Sequence, residues 1–545
     1  MTTRDEAVAR LTAPGQPFEI RTEEVRGQQL QVFADRQRSV GELLADSARH
    51  GDAEYLVTER SRMTFAEHRD AVAALAAALR TEHGVGRGDR VAICAANCPE
   101  WIVAFWAAQA LGAVVVGMNS MWAAPEMVYA LELTEPAVLI ADGPRRALVE
   151  DPGMPVLSIE EDLPALLEQY AGASMPADLD TLVDEDDPAV VLFTSGTTGR
   201  PKGATHSHRN VIAAVWFHLL NDAVAAELGM ALPPRRFLLA TPLFHIAALH
   251  NIAVIRLVVG DTAVLHLGKF DIDRVLRLVE TERVTNWGAV PTMASRLIEH
   301  AEQHGLDDFD LSSLRTFTVN SAPSAPTLKQ RIREVLPIAG RALGTTYGLT
   351  ESSSAATLAS AADLAADPET VGRPVPTMEV EVRDVDNRRV PDGVEGEICV
   401  RGPLVMIGYW RNPEATAAVT TPDGFFRTGD LGTMDGGQLR ISSRRSDLIL
   451  RGAENVYPAE VENALDAHPD VRESIVLGVP HRDLGEEVAA VVVLRPGATT
   501  TADELRDHVQ SLIARYKVPT RWTLTAEALP RNATGKVMRR SVQVS

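Results

Sequence analysis

The stretch VVLFTSGTTGRPKG, residues 190–203, decides how this chain folds and what it can bind. Four apolar residues are typical of a buried strand, and they run directly into threonine, serine and glycine residues that end at Lys202. Small residues let backbone N–H groups approach an anion closely, hydroxyls add donors, and the lysine adds a positive charge. We therefore predict a strand followed by a phosphate-binding loop. The alternative is a plain turn rich in glycine and threonine.

This loop differs from the Walker pattern of P-loop nucleotidases. Gly196 and Gly199 stand too close together, and Pro201 rather than glycine precedes Lys202. A kinase or a P-loop ATPase is therefore disfavoured.

Around this loop, short apolar runs alternate with helical periodicity from about residue 40 to residue 440. Such alternation predicts α/β layers with a largely parallel sheet. The predicted strands include Val91–Cys94, Val114–Gly117, Val138–Ala141, Val190–Phe193 and Ala263–Leu267.

A charged, turn-rich segment at 441–455 separates this body from a shorter tail. At 545 residues the chain exceeds what one core usually organises, so we predict two domains, 1–443 and 444–545. In the tail we expect a helix opened by Pro458, strands at Ser474–Val479 and Val488–Leu494, and a late helix capped by Thr501 and Glu504. The apolar stripe predicted for that helix comprises Leu505, Val509, Leu512, Ile513 and Tyr516.

Composition limits the function classes. The formal net charge of −21 argues against general affinity for nucleic acid, which depends on clustered Lys and Arg. The 3 cysteines are too few for a disulfide framework, and we expect buried free thiols. The first residues lack the apolar core of a secretory signal, which predicts a cytoplasmic location. In the most apolar stretch, 101–118, Gln109 and Gly112 favour a buried helix followed by a strand over a membrane span.

Six segments recur in the order known from one family. They are TSGTTGRPKG (194–203), TPLFHIAAL (241–249), GTTYGLTES (344–352), FRTGDLG (426–432), SRRSDLILRGAENVYPAEVE (443–462) and LPRNATGKVMRR (529–540). Over nearly its whole length the chain resembles the adenylate-forming superfamily, which contains acyl-CoA synthetases, firefly-type luciferases and the adenylation domains of peptide synthetases. The resemblance implies an α/β fold: a large N-terminal domain of layered sheets with a small barrel-like subdomain, and a small mobile α+β C-terminal domain.

The resemblance also implies the reaction, in which ATP and Mg²⁺ activate a carboxylic acid as its adenylate and coenzyme A then receives the acyl group. Thr350 would contribute a hydroxyl to phosphate and Glu351 a carboxylate to Mg²⁺, while Tyr347 would stack on adenine. Asp430 and Arg444 would contact the ribose. The implied nucleotide contacts further include Thr194, Ser195, Gly196, Thr197, Thr198, Gly199, Lys202, Ser321, Ala322, Pro323 and Thr346.

The implied catalytic lysine is Lys536 on the small domain, which would bridge the carboxylate and the α-phosphate. Asp447 matches the family hinge about which that domain rotates. Gly452 and Ala453 then belong to the loop that lines the thiol tunnel.

The acyl pocket implied by the resemblance includes His245, Phe217, His250, Asn320 and Gly348. Where the family usually carries a glycine pair, Asn320 and Ser321 add volume that should reshape or narrow the acyl channel. We favour a fatty or similarly hydrophobic acid, with an aromatic or alicyclic acid as the alternative. We expect structural or pocket-lining roles for His206 and His208.

Two further functions stay open. In the first, the enzyme loads a carrier protein instead of coenzyme A. In the second, the chain is a nucleotide- and acyl-binding protein without turnover. The expected partners are small molecules, with no nucleic acid and no stable membrane span, and a homo-oligomer is compatible with the sequence.

Overall fold

The computed structural model describes residues 3–150, 152–177, 183–194, 200–230, 234–319, 326–336, 338–339, 343–444, 449–452, 454–456, 458–527, 529–530, 542 and 544. Their strands form two large sheets, a five-stranded sheet and a two-stranded hairpin of β1 (Ile20–Val25) and β2 (Gln28–Phe33).

The first large sheet has seven strands and contains the strand that precedes the predicted phosphate loop. In spatial order they are β20 (Gly408–Tyr409), β10 (Lys202–Ser207), β9 (Pro188–Thr194), β6 (Val114–Gly117), β5 (Arg90–Cys94), β7 (Val138–Ala141) and β8 (Val156–Ser158). The strands from β9 to β8 pair in parallel, whereas β10 pairs antiparallel with both β9 and β20. The predicted bounds of β6 and β7 agree with the structure, and those of β5 and β9 lie within one or two residues.

The second large sheet has thirteen strands. The sequence predicts a largely parallel sheet, but only about half of these strands pair in parallel. In spatial order they are β18 (Glu379–Arg383), β19 (Gly396–Arg401), β21 (Phe426–Asp435), β22 (Gln438–Arg444), β17 (Thr370–Pro374), β16 (Thr357–Ala359), β15 (Leu343–Tyr347), β14 (Thr316–Val319), β13 (Asn286–Ala289), β11 (Arg236–Leu239), β12 (Thr262–Leu265), β3 (Glu54–Val57) and β4 (Arg62–Thr64). Strands β15 to β3 pair in parallel, and β15 to β18 pair antiparallel. The turn at 436–437 connects β21 directly to β22, which permits antiparallel pairing.

The five-stranded sheet belongs to the small C-terminal domain. It contains β24 (Glu454–Val456), β23 (Ile449–Arg451), β26 (Gly485–Leu494), β25 (Val471–His481) and β27 (Arg521–Thr525). The predicted fold class, layered α/β sheets with a small C-terminal domain, is confirmed. The boundary at residue 444 stays a prediction, and the hinge residue Asp447 lies outside the described residues.

Helices cover the sheets. They are α1 (Arg4–Leu11), α2 (Val40–Asp46), α3 (Phe65–His83), α4 (Pro99–Gln109), α5 (Ala124–Thr134), α6 (Gly143–Arg146), α7 (Asp162–Gln169), α8 (His208–Glu227), α9 (Ile246–Ala248), α10 (Ile255–Val259), α11 (Ile272–Thr281), α12 (Pro291–His304), α13 (Pro326–Val335), α14 (Ala361–Ala366), α15 (Pro413–Val419), α16 (Pro458–Asp466) and α17 (Ala502–Leu512). Single turns of 3₁₀-helix lie at Ser47–His50, Thr350–Ser352 and Arg515–Lys517, and Leu249–Val254 is a π-helix.

The apolar stretch at 101–118 forms α4 followed by β6, both buried in the main core, as predicted. Across the part of the chain that the structure describes, no helix combines the length and apolarity that crossing a membrane requires. Cys94 and Cys399 are buried free thiols, and Cys98 is half-buried.

The capping box of Thr501 and Glu504 is confirmed at the start of α17. The predicted stripe extends past the helix at two positions, because α17 ends at Leu512, Ile513 is its C-cap residue and Tyr516 lies in the following 3₁₀ turn. There Asn119 Nδ2 of the large domain lies 3.5 Å from the Tyr516 hydroxyl, so this side chain serves the contact between domains.

Candidate active site

A cleft with a volume of about 3020 Å³ lies where the two large sheets meet the small domain. It is lined by the described residues of five of the predicted segments, among them Lys202, His245, Glu351, Asp430 and Gly452. Residues that are hundreds of positions apart in the chain therefore face one space.

The predicted phosphate loop connects two antiparallel strands at the rim of this cleft. Thr194 ends β9 and Lys202 begins β10, and the two residues are paired in register. Both residues line the cleft. The loop residues Ser195, Gly196, Thr197, Thr198 and Gly199 lie outside the described residues.

Tyr409 on β20 links the lysine to the acidic residue of the site. The Lys202 ammonium lies 5.0 Å from the centroid of the Tyr409 ring, and the Tyr409 hydroxyl donates to Glu351 Oε1 at 2.9 Å. Met406 N–H also donates to the Glu351 carbonyl at 2.8 Å, which fixes the 3₁₀ turn that carries Thr350. Tyr409 is not among the residues predicted from sequence, because its hydrogen-bond partner is 58 residues away and no local pattern relates them.

The expected adenine and ribose residues contact each other directly. The Tyr347 hydroxyl, at the end of β15, donates to Asp430 Oδ2 at 2.8 Å in a buried position. Asp430 is itself oriented by its backbone N–H, which donates to Thr428 Oγ1 at 3.1 Å. Thr346 lines the same part of the cleft, and the side chain of Arg444, the register partner of Asp430, is outside what the structure describes.

Gly348 permits the chain to turn away from β15 toward Glu351. A Cβ atom at this position would lie 2.2 Å from the backbone oxygen of Ser354, so a larger residue would require the backbone to move. Gly348 borders the cleft as expected for a pocket residue.

Of the other expected acyl-pocket residues, Phe217 and His245 line the cleft and His250 does not. His250 is fully buried behind the cleft wall, where its ring centroid lies 5.2 Å from that of His206, and the expectation is wrong. The π-helix turns its neighbour Asn251 into the cleft instead, because successive helical side chains point in different directions. Asn320 lies outside the described residues, as do Ser321, Ala322 and Pro323.

Buried histidines support this wall. Burial lowers the pKa of His250 to about 3 and that of His208 to about 4, so both are neutral at pH 7. His208 Nδ1 accepts from the backbone N–H of Val40, and His206 Nδ1 lies 2.7 Å from Ser353 Oγ. These contacts agree with the structural roles predicted for His206 and His208. Among the described residues no group of three or more His, Cys, Asp or Glu could hold a metal ion.

The small domain closes one side of the cleft with the hairpin β23–β24. Gly452, at the turn of this hairpin, has φ +69° and lines the cleft together with Glu454. His245 Nε2 lies 3.5 Å from Glu454 Oε1, across the domain contact. Ala453 lies outside the described residues, and so does Lys536, the expected catalytic lysine.

Three buried charged residues, which we call the interdomain ion cluster, connect the domains beside this hairpin. Lys517 Nζ donates to Glu126 Oε1 of α5 at 2.7 Å and to Glu460 Oε1 of α16 at 2.5 Å. The Lys517 side chain is only 1% exposed. Burial raises the pKa of Glu460 to about 7. No local pattern of residues predicts this cluster, since Glu126 and Lys517 are 391 residues apart.

Comparison with known proteins agrees with this arrangement. The family model described as AMP-binding enzyme matches residues 43–410, and the model for the AMP-binding enzyme C-terminal domain matches residues 460–536. The chain belongs to the AMP-binding enzyme family. The predicted class, an AMP-forming acid–thiol ligase, is thereby confirmed.

Curated members of the family are similar to this chain over most of its length. A feruloyl-CoA synthase from Amycolatopsis sp is 37% identical over 92% of this chain and 95% of its own length. A (7a-methyl-1,5-dioxo-octahydro-1H-inden-4-yl)propanoyl:CoA ligase from Mycobacterium tuberculosis is 36% identical over 88% of this chain and 94% of its own.

A solved relative, the o-succinylbenzoate CoA synthetase MenE from Bacillus subtilis, is 29% identical to this chain. The match to each of two of its structures covers 94% of this chain and 99% of the MenE chain. The TM-score is 0.81 for a double mutant bound to its product analogue OSB-NCoA, and 0.65 for the complex with the acyl-adenylate OSB-AMP. The structure of this protein as a whole is therefore closer to that of the product-analogue complex.

Proposed function

We propose that this protein joins a hydrophobic carboxylic acid to coenzyme A in two half-reactions. In the first, a carboxylate oxygen attacks the α-phosphorus of ATP and pyrophosphate leaves. In the second, the thiol sulfur attacks the acyl carbon, the bond to AMP breaks and the thioester forms. The observation that carries the proposal is the meeting of Lys202, Glu351 and the Tyr347–Asp430 pair in one cleft.

Charge develops on oxygen atoms during the first step, so the site must present cations and donors there. Lys202 supplies a compact positive charge beside the loop that we propose to hold the β- and γ-phosphates. Tyr347 is proposed to stack on adenine while Asp430 accepts from the ribose hydroxyls, with Thr346 and Arg444 as further contacts.

Mg²⁺ fits the acidic part of the site. Glu351 is a single carboxylate whose Oε1 is oriented by Tyr409, next to the Thr350 hydroxyl. Mg²⁺ is usually held by one or two carboxylates together with substrate phosphates, so Glu351 would hold the ion jointly with the nucleotide. When bound, the ion would neutralise charge on the phosphates.

Domain rotation would separate the two half-reactions. The last strand of the thirteen-stranded sheet ends at Arg444 and the first strand of the small domain begins at Ile449, which supports a boundary near 444 and a hinge at Asp447. With Gly452 at the cleft, the present arrangement suits thiol entry, because a glycine lets the thiol arm pass close to the backbone. Lys536 is proposed to act in the other orientation, during adenylation.

The proposed acid is hydrophobic because Phe217, Ile246 and Ile252 line one part of the cleft. A fatty acid was the expectation from sequence, and the aromatic and alicyclic acids named in the curated relatives make those classes equal candidates. Coenzyme A is the proposed acceptor, as in those relatives.

The test is ATP-dependent pyrophosphate release by the purified protein across straight-chain, aromatic and alicyclic acids, with and without coenzyme A and Mg²⁺. We expect sustained release that requires one acid class, Mg²⁺ and coenzyme A, and we expect Glu351→Gln to abolish it. Release that stops after one turnover unless a carrier protein is added would favour the carrier-loading function. No release with any acid would refute the enzyme and favour a binding protein.

A further inference from the structure

One wall of the cleft is more polar than an alkyl chain requires. Helix α8 directs Phe217 into the cleft, and it also directs His218, Asn221 and Asp222 there. The spacing of three and four residues places these polar side chains on one face of the helix. The wall therefore continues as a polar surface beyond Phe217.

The orientation of the Asn251 amide opposite α8 follows from its contacts. Asn251 Nδ2 donates to the Ile246 carbonyl at 3.1 Å, so its Oδ1 faces the other way. That oxygen accepts from Ser354 Oγ and lies 3.1 Å from His218 Nε2. A flipped amide would set two oxygens against each other at Ile246, so this orientation is the one that satisfies every group.

The same contacts determine the tautomer of His218. Since Asn251 Oδ1 can only accept, His218 Nε2 carries the proton and Nδ1 carries a lone pair. Burial lowers the pKa of His218 to about 4, so the ring is neutral at pH 7. Among the described residues none donates a hydrogen bond to Nδ1. His218 thus presents a hydrogen-bond acceptor at the cleft wall.

Beyond His218 the wall stays polar. Asp222 and Arg235 both line the cleft and form a bidentate ion pair, with both N–O distances at 2.6 Å. An alkyl chain lying against His218 and this pair would cover polar atoms without replacing their contacts with water, which is unfavourable.

We propose that His218 recognises a hydroxyl group on the substrate, so that the preferred acid is a hydroxylated aromatic or alicyclic acid and not a plain alkyl acid. The hydroxyl would donate to His218 Nδ1 while the apolar part of the acid packs beside Phe217 and Ile252. This inference rests on the proposed ligase function and assigns His218 as its specificity-determining residue.

The experiment compares matched acids that differ in one group. The probes are cinnamic acid, its 3- and 4-hydroxy and 3- and 4-methoxy derivatives, and octanoic acid with 8-hydroxyoctanoic acid. For each we would measure kcat/KM by pyrophosphate release in the presence of coenzyme A. The wild-type protein should prefer a hydroxylated acid over its deoxy and methoxy counterparts by about 10-fold to 100-fold, because only the hydroxyl donates to the acceptor that a bound acid would cover.

The variant His218→Leu should remove this preference while still activating the deoxy acid. His218→Gln, whose amide oxygen can accept, should keep part of the preference, and it also serves if the leucine variant does not fold. Glu227→Gln, on the exposed end of α8, is the matched control and should leave the ratio unchanged.

Three results would overturn the inference. Equal activation of hydroxylated and deoxy acids by the wild-type protein would leave the ligase function standing and refute the role of the hydroxyl. An equal loss for both members of a pair in both His218 variants would show a structural role only. Absence of pyrophosphate release with every acid would refute the ligase function itself, and the inference with it.

Discussion

Replacing Lys517 with methionine tests whether the interdomain ion cluster stabilises the present arrangement of the domains, which we propose to accept the thiol. The lysine is the cation between Glu126 of the large domain and Glu460 of the small domain, and all three side chains are at most 5% exposed. Methionine keeps much of the apolar volume and removes the charge. The change therefore leaves two buried carboxylates facing each other across the domain contact.

Removing one partner of a buried ion pair costs about 3–5 kcal/mol. Because burial already raises the pKa of Glu460 to about 7, one carboxylate can take up a proton at neutral pH, and we use the lower end of that range. The cluster connects two domains, so separation of the domains relieves the repulsion without unfolding. At 1.4 kcal/mol for each factor of ten, about 3 kcal/mol reduces the population of this arrangement by about 100-fold.

The assay measures the two half-reactions separately. Pyrophosphate release in a single turnover without coenzyme A reports adenylation, and the reaction of the preformed acyl-adenylate with coenzyme A reports thioester formation. We expect Lys517→Met to keep adenylation within about 3-fold of wild type and to slow thioester formation by up to about 100-fold, the shift worked out from the buried pair.

A second interdomain ion pair provides the control. Arg296 and Asp483 lie 2.6 Å apart, but Arg296 is 52% exposed, so we expect Arg296→Ala to cost less than about 1 kcal/mol and to alter neither half-reaction by more than about 5-fold. If Lys517→Met slows both half-reactions equally, or slows neither, the cluster does not select between domain arrangements and the reasoning is refuted.

Three more predictions concern single side chains. Tyr409→Phe removes the hydroxyl that orients Glu351. Since hydrogen bonds to charged groups contribute about 1.5–3 kcal/mol, the Mg²⁺ concentration needed for half-maximal pyrophosphate release should rise by about tenfold. An unchanged Mg²⁺ requirement would contradict this. Gly348→Ala brings a Cβ to 2.2 Å from a backbone oxygen and should lower both the thermal midpoint and activity, whereas Gly288→Ala, with its closest contact at 3.6 Å, should leave the midpoint nearly unchanged. Burial lowers the pKa of His68 to about 3, so below pH 6.5, its ordinary pKa, the unfolded chain binds a proton that the folded chain does not. This residue should therefore lower the free energy of unfolding by about 2 kcal/mol as the pH falls to 5. The urea midpoint of His68→Leu should fall less between pH 7.5 and pH 5 than that of wild type, and equal falls would exclude the effect.

Local sequence was sufficient where neighbouring residues determine the structure. The strands β6 and β7, the helix opened by Pro458 and the capping box at Thr501 follow from residues only a few positions apart. The motif residues Lys202 and Glu351 could likewise be selected from their own segments. Such features depend on backbone propensity and short-range hydrogen bonds, which a linear pattern contains.

Periodicity failed where the direction of a side chain depended on its surroundings. His250 and Asn251 are adjacent in the chain, yet one is buried against His206 and the other lines the cleft. Tyr516 continues the apolar stripe of α17 in the sequence and contacts the large domain in the structure. In each case a helix end or a π-helical turn changed the direction that an α-helical count predicts.

The sequence by itself determined the family and the enzyme class, and it pointed to Lys202, Glu351 and Asp430 in the candidate site, because those residues occur in contiguous motifs. Only the tertiary structure decided which distant groups meet. The Tyr347–Asp430 and Glu351–Tyr409 contacts depend on the order of strands in the sheets, and the contact of Glu126 with Lys517 depends on the orientation of one domain against the other. Sheet order and domain orientation are set by packing over the whole chain, so no local pattern of residues encodes them.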